Sequence, residues 1–65
     1  MRWNNNLRKV REKANMTQEE LEKASGVSRV TISNIERGVS QDIKINTMLA
    51  LANALNEKVE NIFLA

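Results

Sequence analysis

Apolar side chains recur three and four positions apart along almost the whole chain, and nowhere do they alternate as a half-buried strand would. Leu7, Val10 and Ala14 mark the inward face of a first helix over residues 5–14. Asn4, Asn5 and Asn6 offer short side-chain oxygens for its N-cap, and Asn15 tolerates the left-handed conformation of a C-cap. Met16 then fills the following loop. A second helix begins at Thr17. Thr17 and Glu20 have the spacing of a capping box, Leu21 and Ala24 face inward, and Gly26 ends the helix. Val27 is an apolar pin in the turn, and Ser28 caps a third helix over residues 28–36. Ile32 and Ile35 are the buried stripe of that helix, and Gly38 closes it. Residues 39–44 read as a loop. The strongest apolar stripe, Ile45, Met48, Leu49, Ala52 and Leu55, predicts a fourth helix from Lys44 or Asn46 to Leu55, with Asn56 as its C-cap. A short fifth helix over residues 59–64 carries Val59, Ile62 and Phe63 as anchors.

Composition narrows this to a single all-α domain over residues 1–65. Proline is absent, glycine occurs only twice, and good helix formers dominate. With 65 residues the core is thin, so a dimer partner is an expected supplement. No run approaches the roughly 20 apolar residues of a membrane span, and no apolar leader follows the N-terminal charges. The expectation is a cytoplasmic protein. The chain has no His, Cys or Tyr, and its carboxylates follow capping and surface logic. That argues against an enzyme, a metal site or a cofactor, and no small-molecule ligand is expected. The net charge of +2 is only a weak hint of a polyanion partner. Its distribution is more informative, since residues 1–16 hold Arg2, Arg8, Lys9, Arg11 and Lys13 against Glu12 alone.

Two capped helices joined by the tight turn Ala24-Ser25-Gly26-Val27-Ser28 have the geometry of a helix-turn-helix, whose second helix can enter the major groove. The face opposite Ile32 and Ile35 presents Arg29, Val30, Ser33 and Asn34, with Thr31 on its edge. These types suit base edges: Arg pairs bidentately with guanine, Asn with adenine, and a methyl group meets the thymine methyl.

The stretch from Thr17-Gln18-Glu19-Glu20-Leu21 through Gly26-Val27-Ser28-Arg29-Val30-Thr31-Ile32-Ser33-Asn34-Ile35-Glu36-Arg37-Gly38 resembles the Cro/phage-repressor (Xre-type) helix-turn-helix family. Upstream Leu7 to Glu12 and downstream Leu49 to Leu55 and Val59 to Phe63 extend the likeness to nearly the whole chain. The resemblance implies a compact five-helix, lambda-repressor-like fold with the motif at helices 2 and 3. It also implies sequence-specific binding to a double-stranded DNA operator by a small transcriptional regulator, a repressor in this reading. Residue by residue, it gives base reading to Arg29, Val30, Ser33 and Asn34. It gives phosphate contacts to Thr17, Gln18, Ser28, Thr31, Arg37, Ser40, Gln41 and Lys44, and a structural ion pair to Arg11 and Glu36. The chain departs from the family in three places. Glu22 stands where a small residue is usual, the loop after Gly38 lacks proline and carries Asp42, and Lys44 replaces a capping side chain.

A homodimer is expected through the C-terminal helix or the termini, with Leu64, Phe63 and Trp3 as candidates. An alternative pairs Arg2-Trp3 with residues near Leu64 as short strands. The competing function is a protein-interaction module, whose only sequence support is the acidic face of helix 2, Glu19, Glu20 and Glu22.

Overall fold

A computed structural model describes residues 4–40 and 42–64. Among these residues the regular elements are five α-helices: α1 (Leu7–Lys13), α2 (Gln18–Ser25), α3 (Arg29–Glu36), α4 (Ile45–Ala54) and α5 (Val59–Phe63). The all-α architecture expected from the periodicity is the one observed. Arg2, Trp3 and Gln41 lie outside the described residues.

Several junctions are set by local chemistry. Thr17 and Glu20 form the reciprocal box at the head of α2: Glu20 N–H donates to Thr17 Oγ1 (3.1 Å) and Thr17 N–H to Glu20 Oε1 (2.9 Å). Gly26 ends α2 at φ 78°, in the left-handed region that a residue without Cβ enters at little cost. Asn15 and Asn56 take the same region at φ 58° and 52°, ending α1 and α4 without a glycine. Ser28 Oγ accepts the Thr31 N–H at 3.2 Å and so caps α3.

One cluster forms the core. Leu7, Leu21, Ile32, Ile35, Leu51 and Ile62 are fully buried, with Ala52, Leu55 and Phe63 nearly so. Val10, Met16, Val27, Ile43, Met48, Ala54 and Val59 pack around them. Polar ties fasten the start of α1 to distant helices. Asn6 N–H donates to the Ile62 carbonyl (2.8 Å), and Asn5 Nδ2 donates to the Ile35 carbonyl (2.8 Å).

Several sequence expectations are corrected. Helix α1 starts at Leu7 rather than Asn5, because the Asn5 side-chain oxygen accepts the Leu7 N–H (3.0 Å) just ahead of the helix. Ala14 is exposed, since it lies beyond the last turn of α1. Ala24 is exposed as well. The position facing inward beside Leu21 is Ser25, one full turn on. Its hydroxyl donates to the Leu21 carbonyl (2.6 Å) and accepts the Val27 N–H (3.1 Å), which makes a polar residue tolerable there. The stripe of α4 is rotated from the expected one. Leu51, Ala52 and Leu55 are buried and Met48 half-buried, whereas Ile45 and Leu49 are 60% and 44% exposed. This helix is apolar on nearly every side, so two stripes overlap in its sequence. Packing against α2 and α5 selects the one containing Leu51. Phe63, expected both as a core anchor and as a dimer candidate, is only 2% exposed and takes the first role.

Candidate nucleic-acid interface

Helix α3 is held from beneath by Ile32 and Ile35, which are wholly buried, so its opposite face is turned to solvent. There Gln18, Arg29, Val30, Ser33, Asn34 and Arg37 line one concavity of about 410 Å³. All four residues read from spacing as an outward face are therefore brought together, beside two of the residues that the resemblance assigns to phosphate. Val30 is 71% exposed, its methyl groups open to solvent beside Arg29, Ser33 and Asn34.

The polar groups of this face are held by one another. Arg37 Nη2 donates to Asn34 Oδ1 (2.7 Å), which leaves the Asn34 amide N–H groups directed elsewhere. Arg29 Nη1 donates to Glu19 Oε1 (3.3 Å) across the turn, an exposed pair. Ser28 Oγ donates to Thr31 Oγ1 (2.9 Å) while accepting the Thr31 backbone N–H. Thr17 is committed to the capping box at the head of α2. Ser40 is half-buried, its N–H directed at the Asn34 carbonyl (3.4 Å), and Lys44 is exposed at the N-cap of α4, where its side chain makes no cap bond. Gln41 falls outside the described residues.

The far end of α3 is fixed by a dense polar joint. Arg11 Nε and Nη2 donate to the two Glu36 carboxylate oxygens (2.6 and 3.2 Å), Arg11 Nη1 to the Met16 carbonyl (2.7 Å), and Gln18 Nε2 to Glu36 Oε1 (3.1 Å). The two charged side chains are only 12% and 5% exposed. The hydrogen bond to Glu36 raises the Arg11 guanidinium above its already high ordinary pKa, outweighing the burial that pulls the other way. One set of contacts thus ties α1, the head of α2 and the last turn of α3 together, and it fixes the depth and angle of α3 relative to α2.

Glu22, at the position where the family favours a small residue, does not disturb the packing of α2 on α3. Its Oε2 accepts the backbone N–H of Arg29 at 3.0 Å, satisfying one of the free donors at the start of α3. Sequence reasoning missed this role, and those of Glu19 beside Arg29 and of Asn5 beneath Ile35. Each links residues seven or more positions apart across a turn or between helices, where no short-range spacing announces the partner. For Glu22 a signal was present, an acidic residue in the last turn of α2 shortly before the start of α3.

A family model described as helix-turn-helix matches residues 7–62. The chain belongs to this family, and the Cro/phage-repressor resemblance read from its residues is borne out. It is 40% identical over 58 residues to an uncharacterized HTH-type transcriptional regulator of Archaeoglobus fulgidus, covering 89% of this chain and 80% of that protein. It is also 40% identical over 60 residues to another such regulator of Methanocaldococcus jannaschii, covering 92% and 89%. Among solved structures it is similar to the restriction-modification controller protein C.AhdI from Aeromonas hydrophila, with a TM-score of 0.78, 31% identity, and 85% and 82% of the two chains covered.

Proposed function

We propose that this helix-turn-helix protein places α3 in the major groove of an operator and represses transcription from it as a homodimer. The chain is a DNA-binding transcriptional regulator. What the proposal adds is the reading mechanism. Its central support is the outer face of α3, where Arg29, Val30, Ser33 and Asn34 share one concavity on a helix buried along its other side. Arg29 and Asn34 supply the bidentate pairing of guanine and adenine, and Val30 supplies the methyl contact to thymine. Gln18, Thr17, Ser28, Thr31 and Arg37 border this face and take the adjoining phosphates, with Ser40, Gln41 and Lys44 reaching flanking ones.

The protein-interaction alternative loses its support, because the carboxylates of α2 have tasks within the monomer. Glu20 caps α2, Glu22 caps α3 and Glu19 pairs with Arg29. Dimerisation rests on Leu64, 78% exposed beside the buried Phe63, and on the open α4 side chains Ile45 and Leu49. A domain this small gains affinity by engaging two half-sites roughly 34 Å apart. No helix among the described residues is long and apolar enough to cross a membrane, and a cytoplasmic location is the reading that suits operator binding.

Selection of bound sequences from a random double-stranded pool tests the reading. A palindromic consensus is expected. Substituting Asn34 with Ala is expected to relax preference at one position and cost about 1–3 kcal/mol there. An unchanged preference would remove Asn34 from the base-reading set, and recovery of no consensus would refute sequence-specific binding.

A further inference from the structure

Beyond the base-reading concavity lies a second and larger cleft of about 590 Å³, where the start of α1 stands over the end of α3. The residues that matter in it are Asn4, Arg8, Gln18, Ser33, Glu36 and Arg37. Gln18, Ser33 and Arg37 line both cavities, so the cleft is continuous with the face that reads DNA. Its charge is one-sided. Among the described residues Glu36 is the only carboxylate on its wall, and both oxygens are occupied by Arg11 and Gln18. The guanidinium groups of Arg8 and Arg37 therefore border the cleft without a carboxylate of the cleft wall to neutralise them. Arg8 lies three positions before Arg11 and thus on the same side of α1. Arg11 is locked onto α3, and Arg8 borders the same cleft with its side chain largely exposed.

We propose that this cleft is a docking site for a DNA-backbone phosphate and that Arg8, on a helix outside the helix-turn-helix, is its principal cation. The inference rests on the DNA-reading role of α3. Arg8 reaches Glu12 at 3.4 Å, with both side chains more than half exposed, a solvent-screened surface pair that yields readily to a phosphodiester. Glu12 is then a competitor for the cation. Helix α1 joins the interface through Arg8 while Arg11 remains structural, so two of the N-terminal cations have different tasks.

The test is the salt dependence of operator binding, measured from about 50 to 200 mM with the operator selected above. Neutralising one phosphate contributes about 0.9 to the slope of log affinity against log salt concentration, a roughly 3.5-fold change over that range. Arg8→Gln is expected to lower the slope by about that amount, to weaken binding equally on all sequences, and to leave base preference intact. Arg8→Lys is expected to restore the slope, and Glu12→Gln to tighten binding several-fold. Lys13→Gln is the control. Lys13 lies on the side of α1 that faces Glu57, away from the cleft, and its removal is expected to leave the slope unchanged. Wild-type slope in Arg8→Gln, with the wild type binding its operator normally, would overturn this inference alone. Absence of any salt-linked binding by the wild type would overturn the DNA-reading proposal and this inference with it. Inorganic phosphate provides a further arm. If it shifts the Arg8 side-chain resonance while Arg8→Gln leaves the operator slope unchanged, the cleft takes free anions and not DNA.

Discussion

Replacing Glu36 with Gln isolates the joint on which the placement of α3 depends. The substitution keeps the shape of the side chain but removes its charge, leaving the Arg11 guanidinium, 12% exposed, without its counterion. Removing one partner of a buried pair costs about 3–5 kcal/mol when the other charge is left uncompensated. Arg11 keeps its bond to the Met16 carbonyl, so the lower end, about 3 kcal/mol, applies. In a domain of this size that corresponds to a fall in Tm of roughly 12–24 °C. It also approaches the entire stability of about 3–5 kcal/mol that a core this small supplies. Thermal unfolding followed by far-ultraviolet circular dichroism measures it. The raised pKa of Arg11 places its contribution below the unfolded value of a guanidinium, where it is fully present, and the contribution is lost only at higher pH. The Glu36→Gln deficit is therefore expected to be equal at about pH 6 and about pH 8. Replacing both partners with apolar residues, Arg11→Met with Glu36→Leu, is expected to recover most of the loss, because no charge remains buried. A single-variant loss below about 1 kcal/mol, the range of a solvent-screened surface pair, would refute the reasoning.

Further expectations concern single contacts. Glu22→Ala removes the acceptor for the Arg29 N–H and is expected to cost about 0.5–1 kcal/mol in chemical denaturation, with Ser28 still capping the same helix. Leu51→Ala is expected to destabilise by about 2–5 kcal/mol, and Leu49→Ala by far less, a contrast that checks the rotated face of α4. Glu57 is held below the ordinary carboxylate range, first by the Asn61 side-chain amide and then by the Lys58 N–H. Its small contribution is therefore present above the normal Glu range and lost as pH falls through its lowered value. A carboxyl titration by NMR is expected to place Glu57 below the ordinary glutamate value, and Asn61→Ala to move it up.

The parts of the fold legible in the sequence are those whose cause is local. The capping box at Thr17 and Glu20, the left-handed endings at Asn15, Gly26 and Asn56, and the Ile32–Ile35 stripe each involve residues within one helical turn. Spacing alone therefore reveals them. The face of α4 was not legible in the same way. Its sequence contains two apolar stripes, and only the presence of α2 and α5 decides between Leu49 and Leu51. Ala24 and Ser25 show the same limit at smaller scale, since polarity argues for the alanine, whereas a hydroxyl bonded to its own helix lets the serine turn inward.

The candidate interface divides along this line too, and the division bears on how the protein works. The outward residues of α3 follow from the buried stripe by simple rotation, so Arg29, Val30, Ser33 and Asn34 can be named without a structure. What orients them cannot. Arg29 is steered by Glu19, Asn34 by Arg37, and the whole helix by Arg11 through Glu36, all partners supplied by chain folding or by a helix end. The same joint that buries Glu36 leaves Arg8 and Arg37 on the neighbouring cleft with no free carboxylate on its described wall, Arg8 keeping only its exposed pair with Glu12. A change at Glu36 is therefore expected to act on DNA affinity twice, by loosening α3 and by returning a cation to the rim. The first effect alters sequence preference, whereas the second alters only the salt slope, so the two can be separated on one variant.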